Sequence, residues 1–144
     1  MIRARETADL ILSEMGTIDP SIVSFTDQLE EGAPYQVEPP RKSYQTAKYQ
    51  RFLFEHGHRI ESAFRRYIHR GDELESPETV VIVCHANVIR YFLMRAMQVD
   101  PSAWLRFSLN HGSVTKIRVY GSGDIRALFV GESGFMPNDH VTSR

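Results

Sequence analysis

The feature that most constrains the fold is an unbroken run of β-branched residues at positions 79–83, Thr-Val-Val-Ile-Val. Such a run is typical of a strand that is covered on both faces in a parallel sheet. A helical pattern over residues 87–98 follows it almost without a linker. We therefore predict an α/β domain in which this strand lies at the centre.

The rest of the chain predicts the elements that would surround this strand. Apolar periodicity predicts helices over residues 2–15 and 46–70, a short strand over 21–25, an irregular segment over 30–43, an acidic loop over 72–78, and a hairpin of 113–120 with 124–130. Gly57 is expected to break the second helix. Together these elements predict one three-layer α/β domain, residues 1–144, with a mostly parallel central sheet.

Spacing along the two helices predicts which side chains face the core. In the first helix the apolar face is formed by Ala4, Ala8, Ile11, Leu12 and Met15, and in the second by Ile60, Ala63, Phe64, Tyr67 and Ile68. The charged residues Arg59, Glu61, Arg65 and Arg66 are expected to point outward. His56-Gly57-His58 lacks further metal ligands nearby, so we interpret this pair as part of a solvated helix break.

Composition excludes several classes of protein. With a formal net charge of −1 and a pI of about 6.6, the chain has no excess positive charge that would attract nucleic acid. The single cysteine, Cys84, cannot form an internal disulfide. No apolar run approaches the ~20 residues of a membrane span, and the residues after Met1 are not a targeting peptide. We expect no membrane segment within this sequence, and any targeting segment would lie upstream.

His85 stands at the carboxyl end of the predicted strand, where the helix begins. In open α/β sheets this edge is where ligands bind, and free N–H groups at a helix start favour an anion. His85 would project into that crevice, although a capping or core-edge histidine fits the pattern equally well.

Cys84 and Arg90 have the Cys-x5-Arg spacing of cysteine-dependent phosphatases. The loop of those enzymes needs glycine so that its backbone can approach a phosphate. The five intervening residues contain no glycine, and the last two, Val88 and Ile89, already belong to the helical pattern. We therefore interpret Cys84 as a small buried residue.

Two further segments could carry phosphate chemistry. Arg3 lies close to a helix start, where the helix dipole disfavours a positively charged side chain unless an anion is present. A guanidinium can hold a phosphate through two N–H donors. A solvated surface arginine is the simpler interpretation. Glu30 and Glu31 precede Gly32 and Pro34, which is usually a turn, but one of these carboxyl groups could act as a general acid.

In this order, the segments resemble the phosphoglycerate mutase-like histidine phosphatase superfamily. Arg3-Ala4-x-Glu6-Thr7 resembles its second-arginine motif, Leu29-x-Glu31-Gly32 its acid motif, and Cys84-His85-Ala86 its second-histidine motif. Longer strings are similar to a mitochondrial serine/threonine-protein phosphatase branch: Glu31-Gly32-Ala33-Pro34, Tyr67-Ile68-His69-Arg70, Cys84-His85-Ala86-Asn87-Val88-Ile89-Arg90-Tyr91, Trp104-Leu105-Arg106, Leu109-Asn110 with Gly112-Ser113, and Gly134-Phe135-Met136-Pro137.

The resemblance implies a protein phosphatase that works through a phosphohistidine, without metal or cofactor. Arg3, Glu31 and His85 would be catalytic, and Arg3, His85 and Ala86 would bind the substrate phosphate. Phosphorylated proteins would be the substrates, and the protein would be a mitochondrial homo-oligomer with any membrane anchor upstream. A non-catalytic short form that binds phosphate or partner proteins, and a small-molecule phosphomonoesterase or mutase, remain alternatives.

The family opens with a strand and an Arg-His-Gly motif, whose histidine takes the phosphoryl group. None of the six histidines here is flanked in that way. The resemblance therefore implies a domain that is incomplete at its N-terminus, with the first strand missing, and a chain that is inactive alone.

Overall fold

The computed structural model describes residues 2–71 and 76–143. Its helices are α1 (Ile2–Glu14), α2 (Ala47–Tyr67) and α3 (Ala86–Ala96), and its strands are β1 (Val114–Val119) and β2 (Ile125–Glu132). Short 3₁₀ helices lie at Pro20–Ile22, Asp27–Leu29, Lys42–Tyr44, Pro101–Arg106 and Asn138–His140. No helix in the described part of the chain has the length and apolar character needed to cross a membrane.

Helix α2 begins where the Thr46 hydroxyl accepts a hydrogen bond from the Tyr49 N–H at 3.2 Å, as an N-cap should. The helix continues without interruption through Gly57, so the predicted break is wrong. A Cβ atom at Gly57 would lie 2.9 Å from the carbonyl oxygen of Pro34. Glycine is therefore needed here for close packing of the helix against a loop and does not end the helix.

The core lies between α2 and α3, and the predicted apolar stripe of α2 is confirmed. Its fully buried members Ile60 and Ala63 pack with Val88, Tyr91 and Phe92 of α3. A second buried cluster is formed by Val37, Met94 and Trp104, and the Trp104 indole N–H donates to the Tyr35 carbonyl at 3.0 Å. Helix α3 therefore packs against α2 and also against the irregular segment that follows residue 30.

The predicted hairpin is confirmed. Strands β1 and β2 pair antiparallel, with Val119 opposite Ile125. In the turn, the Tyr120 N–H donates to the Asp124 carbonyl at 2.9 Å. Gly123 has φ +94, a left-handed conformation that glycine adopts without steric cost.

The predicted strand over residues 21–25 is wrong, because local hydrogen bonds favour a 3₁₀ turn. The Asp19 carboxylate accepts from the Ser21 N–H at 2.9 Å, and Pro20 opens the turn Pro20–Ile22. An aspartate side chain that bonds the backbone two residues later competes with strand formation.

The predicted strand over residues 79–83 does not form, and Val80 and Val81 are 57% and 62% exposed. A strand requires a neighbour that completes its ladder of hydrogen bonds, and none flanks this run among the described residues. Their one sheet is the antiparallel hairpin. The chain therefore mixes helices and strands, but the three-layer arrangement with a mostly parallel central sheet is not confirmed.

The predicted first helix is confirmed as α1, but its predicted apolar face is not buried in a core. Ala4, Ala8 and Leu12 are only half-buried, while Ile11 and Met15 are exposed. The predicted acidic loop over residues 72–78 lies mainly outside the described residues.

Candidate active site

His85 is the residue immediately before α3. Its backbone is extended, with φ −120 and ψ 157, and its carbonyl accepts the Ile89 N–H at 3.0 Å. The imidazole makes no capping hydrogen bond to the helix, which disfavours the capping interpretation. The side chain is half-buried at a helix start, where backbone N–H groups favour an anion.

Arg3 and Glu31 both lie within electrostatic reach of His85. Burial lowers the pKa of His85 below its ordinary value, the Glu31 carboxylate opposes this effect, and the Arg3 guanidinium reinforces it. Three side chains that are far apart in the sequence therefore act on one neighbourhood. Ala86, the fourth predicted site residue, is the first residue of α3.

The segment that carries Glu31, residues 27–34, is called the acid segment below. Arg59 of α2 donates hydrogen bonds to its backbone. The Nη1 atom reaches the carbonyl oxygens of Asp27, Gln28 and Glu30 at 3.0, 2.9 and 2.9 Å. The Nη2 atom reaches the Glu31 carbonyl at 3.3 Å. One guanidinium thus holds four carbonyl groups of the acid segment.

His56 of α2 binds the same segment at Ala33. Its Nδ1 atom accepts a hydrogen bond from the Ala33 N–H at 3.3 Å, which requires the neutral ring with its proton on Nε2. Burial, and then the charge of Arg59, lower the pKa of His56. The neutral form that accepts this bond is therefore the favoured one.

Asn87 of α3 also binds the acid segment. Its Nδ2 donates to the Gly32 carbonyl at 3.0 Å, and its Oδ1 accepts from Nη1 of Arg90, also at 3.0 Å. The bond from Arg90 fixes which end of the Asn87 amide faces Gly32. Helix α3 therefore presents His85 and also ties down the segment that carries Glu31.

The prediction that Arg59 and His56 lie on a solvated part of the helix is wrong, because both contact the acid segment. The 3.6-residue period predicts the face of the helix on which a side chain lies. It does not predict which loop covers that face. A buried irregular segment must find donors for its carbonyl groups. The proline- and glycine-containing stretch opposite a basic helix was the available signal for Arg59, and Asn87 gave no comparable signal.

Cys84 is unsuited to be a nucleophile. Burial raises the pKa of its thiol to about 12, partly offset by a hydrogen bond with the His85 backbone, so the reactive thiolate does not form near neutral pH. Arg90, the other end of the Cys-x5-Arg string, is engaged with Asn87. Within the ranges that the structure describes, no three His, Cys, Asp or Glu residues group as metal ligands.

Comparison with known proteins gives a consistent result. The family described as "Histidine phosphatase superfamily (branch 1)" matches residues 1–130. "Serine/threonine-protein phosphatase Pgam5, mitochondrial" of Drosophila willistoni is 46% identical over 145 residues, which cover 100% of this chain and 49% of that protein. The Mus musculus protein of the same description is 43% identical over 143 residues, which cover 99% and 48%. The chain spans about half the length of these curated relatives.

Proposed function

Because the chain belongs to the histidine phosphatase superfamily, we propose that it supplies the phosphate-binding and acid groups of a serine/threonine-protein phosphatase. The observation that carries this proposal is that His85, half-buried at the start of α3, lies within electrostatic influence of both Arg3 and Glu31. The names of its relatives support the reaction class and a mitochondrial location.

Each group has one role in the proposed reaction. Arg3, His85 and the Ala86 N–H bind the non-bridging oxygens of phosphoserine or phosphothreonine, and stabilise the charge that develops on them. A histidine of an Arg-His-Gly motif, which these 144 residues do not contain, attacks phosphorus as the bond to the serine or threonine oxygen breaks. Glu31 gives its proton to that oxygen.

The second half of the reaction restores the site. The Glu31 carboxylate takes a proton from water, the water oxygen bonds to phosphorus, and the phosphorus–nitrogen bond of the phosphohistidine breaks. Inorganic phosphate leaves, and Glu31 is again protonated for the next cycle. The charges that assist both steps come from side chains of this chain, Arg3 and His85.

Electrostatics suit His85 to this role. In the free site its lowered pKa leaves the imidazole mainly neutral near pH 7. A phosphoryl group placed beside it favours the protonated ring. His85 therefore becomes most positive when the negative charge arrives.

The proposal is tested by joining an upstream segment with the family's Arg-His-Gly motif, taken from the mouse relative, to this chain. We expect an acid-labile phosphohistidine and release of phosphate from a phosphoserine peptide. Arg3→Ala and His85→Ala should each lower the rate about 100-fold, whereas the matched Arg5→Ala and His58→Ala should change it little.

The 144-residue chain alone should bind inorganic phosphate and release none from the peptide above background. Turnover by the chain alone, or no phosphohistidine in the extended protein, would contradict the proposal. Homo-oligomer formation and a membrane anchor belong to the same proposal, and light scattering and mitochondrial fractionation of the protein in cells test them.

A further inference from the structure

Side chains from the two core helices hold the acid segment. It begins with the 3₁₀ helix Asp27–Leu29 and then runs irregularly to residue 34. On the α2 side, Arg59 binds four of its carbonyl groups and His56 accepts its Ala33 N–H. On the α3 side, Asn87 binds its Gly32 carbonyl.

These contacts bear directly on the geometry of the proposed reaction. Asn87 lies two residues after His85 on the same helix, and Gly32 lies one residue after Glu31. The 3.0 Å bond between Asn87 and Gly32 therefore limits how far the Glu31 backbone can move from His85. Arg59 binds the Glu30 and Glu31 carbonyls from α2, so the segment is held at more points than the Asn87–Gly32 hydrogen bond and cannot pivot about it.

Among the contacts of the described residues, the Glu31 carboxyl accepts one hydrogen bond. Its Oε1 accepts the Gly32 N–H at 3.2 Å, a contact between neighbouring residues. A general acid must be held close to its productive position, and a misplacement of about 1 Å can cost about 100-fold in rate. The placement of the carboxyl must therefore come from the backbone that carries it.

We infer that Arg59 and Asn87 are positioning residues that clamp the acid segment from the two core helices and thereby hold Glu31 at a fixed position relative to His85. This inference rests on the proposed function for its catalytic meaning, although the clamp itself exists without turnover. Arg59→Lys keeps the charge, but it replaces the two amino groups that reach the carbonyls of the acid segment with a single ammonium, which cannot span them. Asn87→Ala removes the bond to Gly32.

The clamp can be tested without any enzymatic activity, by NMR titration of the His85 imidazole in the full 144-residue chain. Glu31 raises the pKa of His85, so Glu31→Gln should lower it. If Asn87 holds Glu31 in place, Asn87→Ala should lower the pKa of His85 in the same direction. In a Glu31→Gln background the effect of Asn87→Ala should shrink to the smaller contribution of Glu30, which lies on the same segment and also raises the pKa of His85.

Arg59→Lys should behave like Asn87→Ala, and Arg51→Lys is its matched control, because Arg51 binds only the exposed Glu55 among the described contacts. An effect of Asn87→Ala that persists undiminished in the Glu31→Gln background would overturn the inference. If Arg59→Lys prevents folding, the Asn87 cycle still decides the question.

The extended protein provides a second test through the leaving group. A phosphoserine peptide needs a proton on its departing oxygen, whereas p-nitrophenolate leaves without one. Asn87→Ala should slow phosphohistidine formation from the peptide by about 10- to 100-fold and leave the same step with p-nitrophenyl phosphate within a few-fold. Glu31→Gln should show the same contrast.

An equal loss with both substrates would mean that Asn87 only stabilises the fold, and the inference would fail. If the parent protein forms no phosphohistidine, the proposed function fails, while the titration of His85 still reports on the clamp. The two failures are therefore distinguishable.

Discussion

The side-chain amide of Asn87 donates a 3.0 Å hydrogen bond to the backbone carbonyl of Gly32, 55 positions earlier in the chain. Each residue lies close to a proposed catalytic group, Asn87 two residues after His85 and Gly32 one residue after Glu31. This bond therefore connects the segment that carries the proposed acid to the helix that follows the proposed phosphate-binding histidine.

Cys84 should be inert where an active-site thiol would react. Its burial and its pKa of about 12 predict that the folded chain is alkylated by iodoacetamide at pH 7–8 at least ~100-fold more slowly than the same chain in denaturant. The rate is measured by mass spectrometry, with the denatured chain as the control. Rapid alkylation of the folded chain would reopen the Cys-x5-Arg alternative.

In the extended protein, the same question can be asked through activity. Cys84→Ser should leave phosphatase activity within a few-fold, whereas His85→Ala should reduce it by about 100-fold or more, because it removes a group that stabilises transition-state charge. Steady-state rates with the phosphoserine peptide distinguish the two residues. The reverse ranking would assign the chemistry to the cysteine.

Local sequence signals predicted those parts of the fold that depend on local interactions. The apolar stripe through Ile60 and Ala63 and the glycine turn near Gly123 are properties of one helix and one hairpin. The β-branched run at residues 79–83 is different, because a strand exists only when another strand supplies its ladder. Its apolar pattern predicts a buried strand, but the described residues provide no partner strand for it, and Val80 and Val81 are exposed.

The site shows the same division. Arg3, Glu31 and His85 are predicted from the sequence because the motif around each is a continuous string. The sequence predicts a solvated position for Arg59, which is wrong because its contacts are set by a loop that lies 28 to 32 positions away. Contacts of this kind arise from packing between distant segments, and no periodicity within α2 could have predicted them.

Anion binding at the site should be coupled to protonation of His85. The pKa of His85 is lowered in the free site, mainly by burial, and a bound dianion raises it. Between the pKa of His85 in the free site and its higher pKa in the bound site, anion binding takes up a proton. The affinity for the anion therefore increases as the pH falls below the bound-state pKa, and it levels off once the pH is below the free-state pKa. Calorimetry with sulfate, which remains dianionic, measures this dependence.

His85→Asn is the control for this titration. It should weaken sulfate binding at low pH and flatten the pH dependence, because asparagine cannot take up the proton. A pH dependence that is unchanged in His85→Asn would assign the proton uptake to another group, and the role given to His85 would be wrong.

Gly57→Ala tests the close packing of α2 against the acid segment. Alanine in a helix interior is favoured over glycine by about 1 kcal/mol, but the new Cβ would lie 2.9 Å from the Pro34 carbonyl oxygen. Overpacking costs about 1–3 kcal/mol, so we expect a net loss of about 1 kcal/mol in the free energy of unfolding. Urea unfolding measures this, with the exposed Ser62→Ala on the same helix as the control. A gain in stability would show that Pro34 can move away freely.

Glu61 joins α2 to α3 and should make stability depend on pH. Its carboxylate accepts hydrogen bonds from the Tyr91 hydroxyl at 2.8 Å, from Nε and Nη2 of Arg95 at 3.1 and 3.0 Å, and from Nε of Arg65 at 2.9 Å. Burial raises the pKa of Glu61, but these hydrogen bonds outweigh it and the pKa lies below the ordinary value of 4.5. The ionised form is thus the one that stabilises the folded chain.

Because the folded-state pKa is depressed, the contribution of Glu61 is fully present above the unfolded-state pKa and is lost as the pH falls through the folded-state value. Glu61→Gln should therefore lower the free energy of unfolding by about 1–3 kcal/mol at pH 7, and the difference from the parent should shrink toward about pH 3. Glu55→Gln, which removes an exposed pair with Arg51, should cost less than about 1 kcal/mol at either pH. If Glu61→Gln lowers the free energy of unfolding equally at pH 7 and at about pH 3, Glu61 acts through packing. A contribution from the ionised carboxylate would be lost when the carboxylate is protonated.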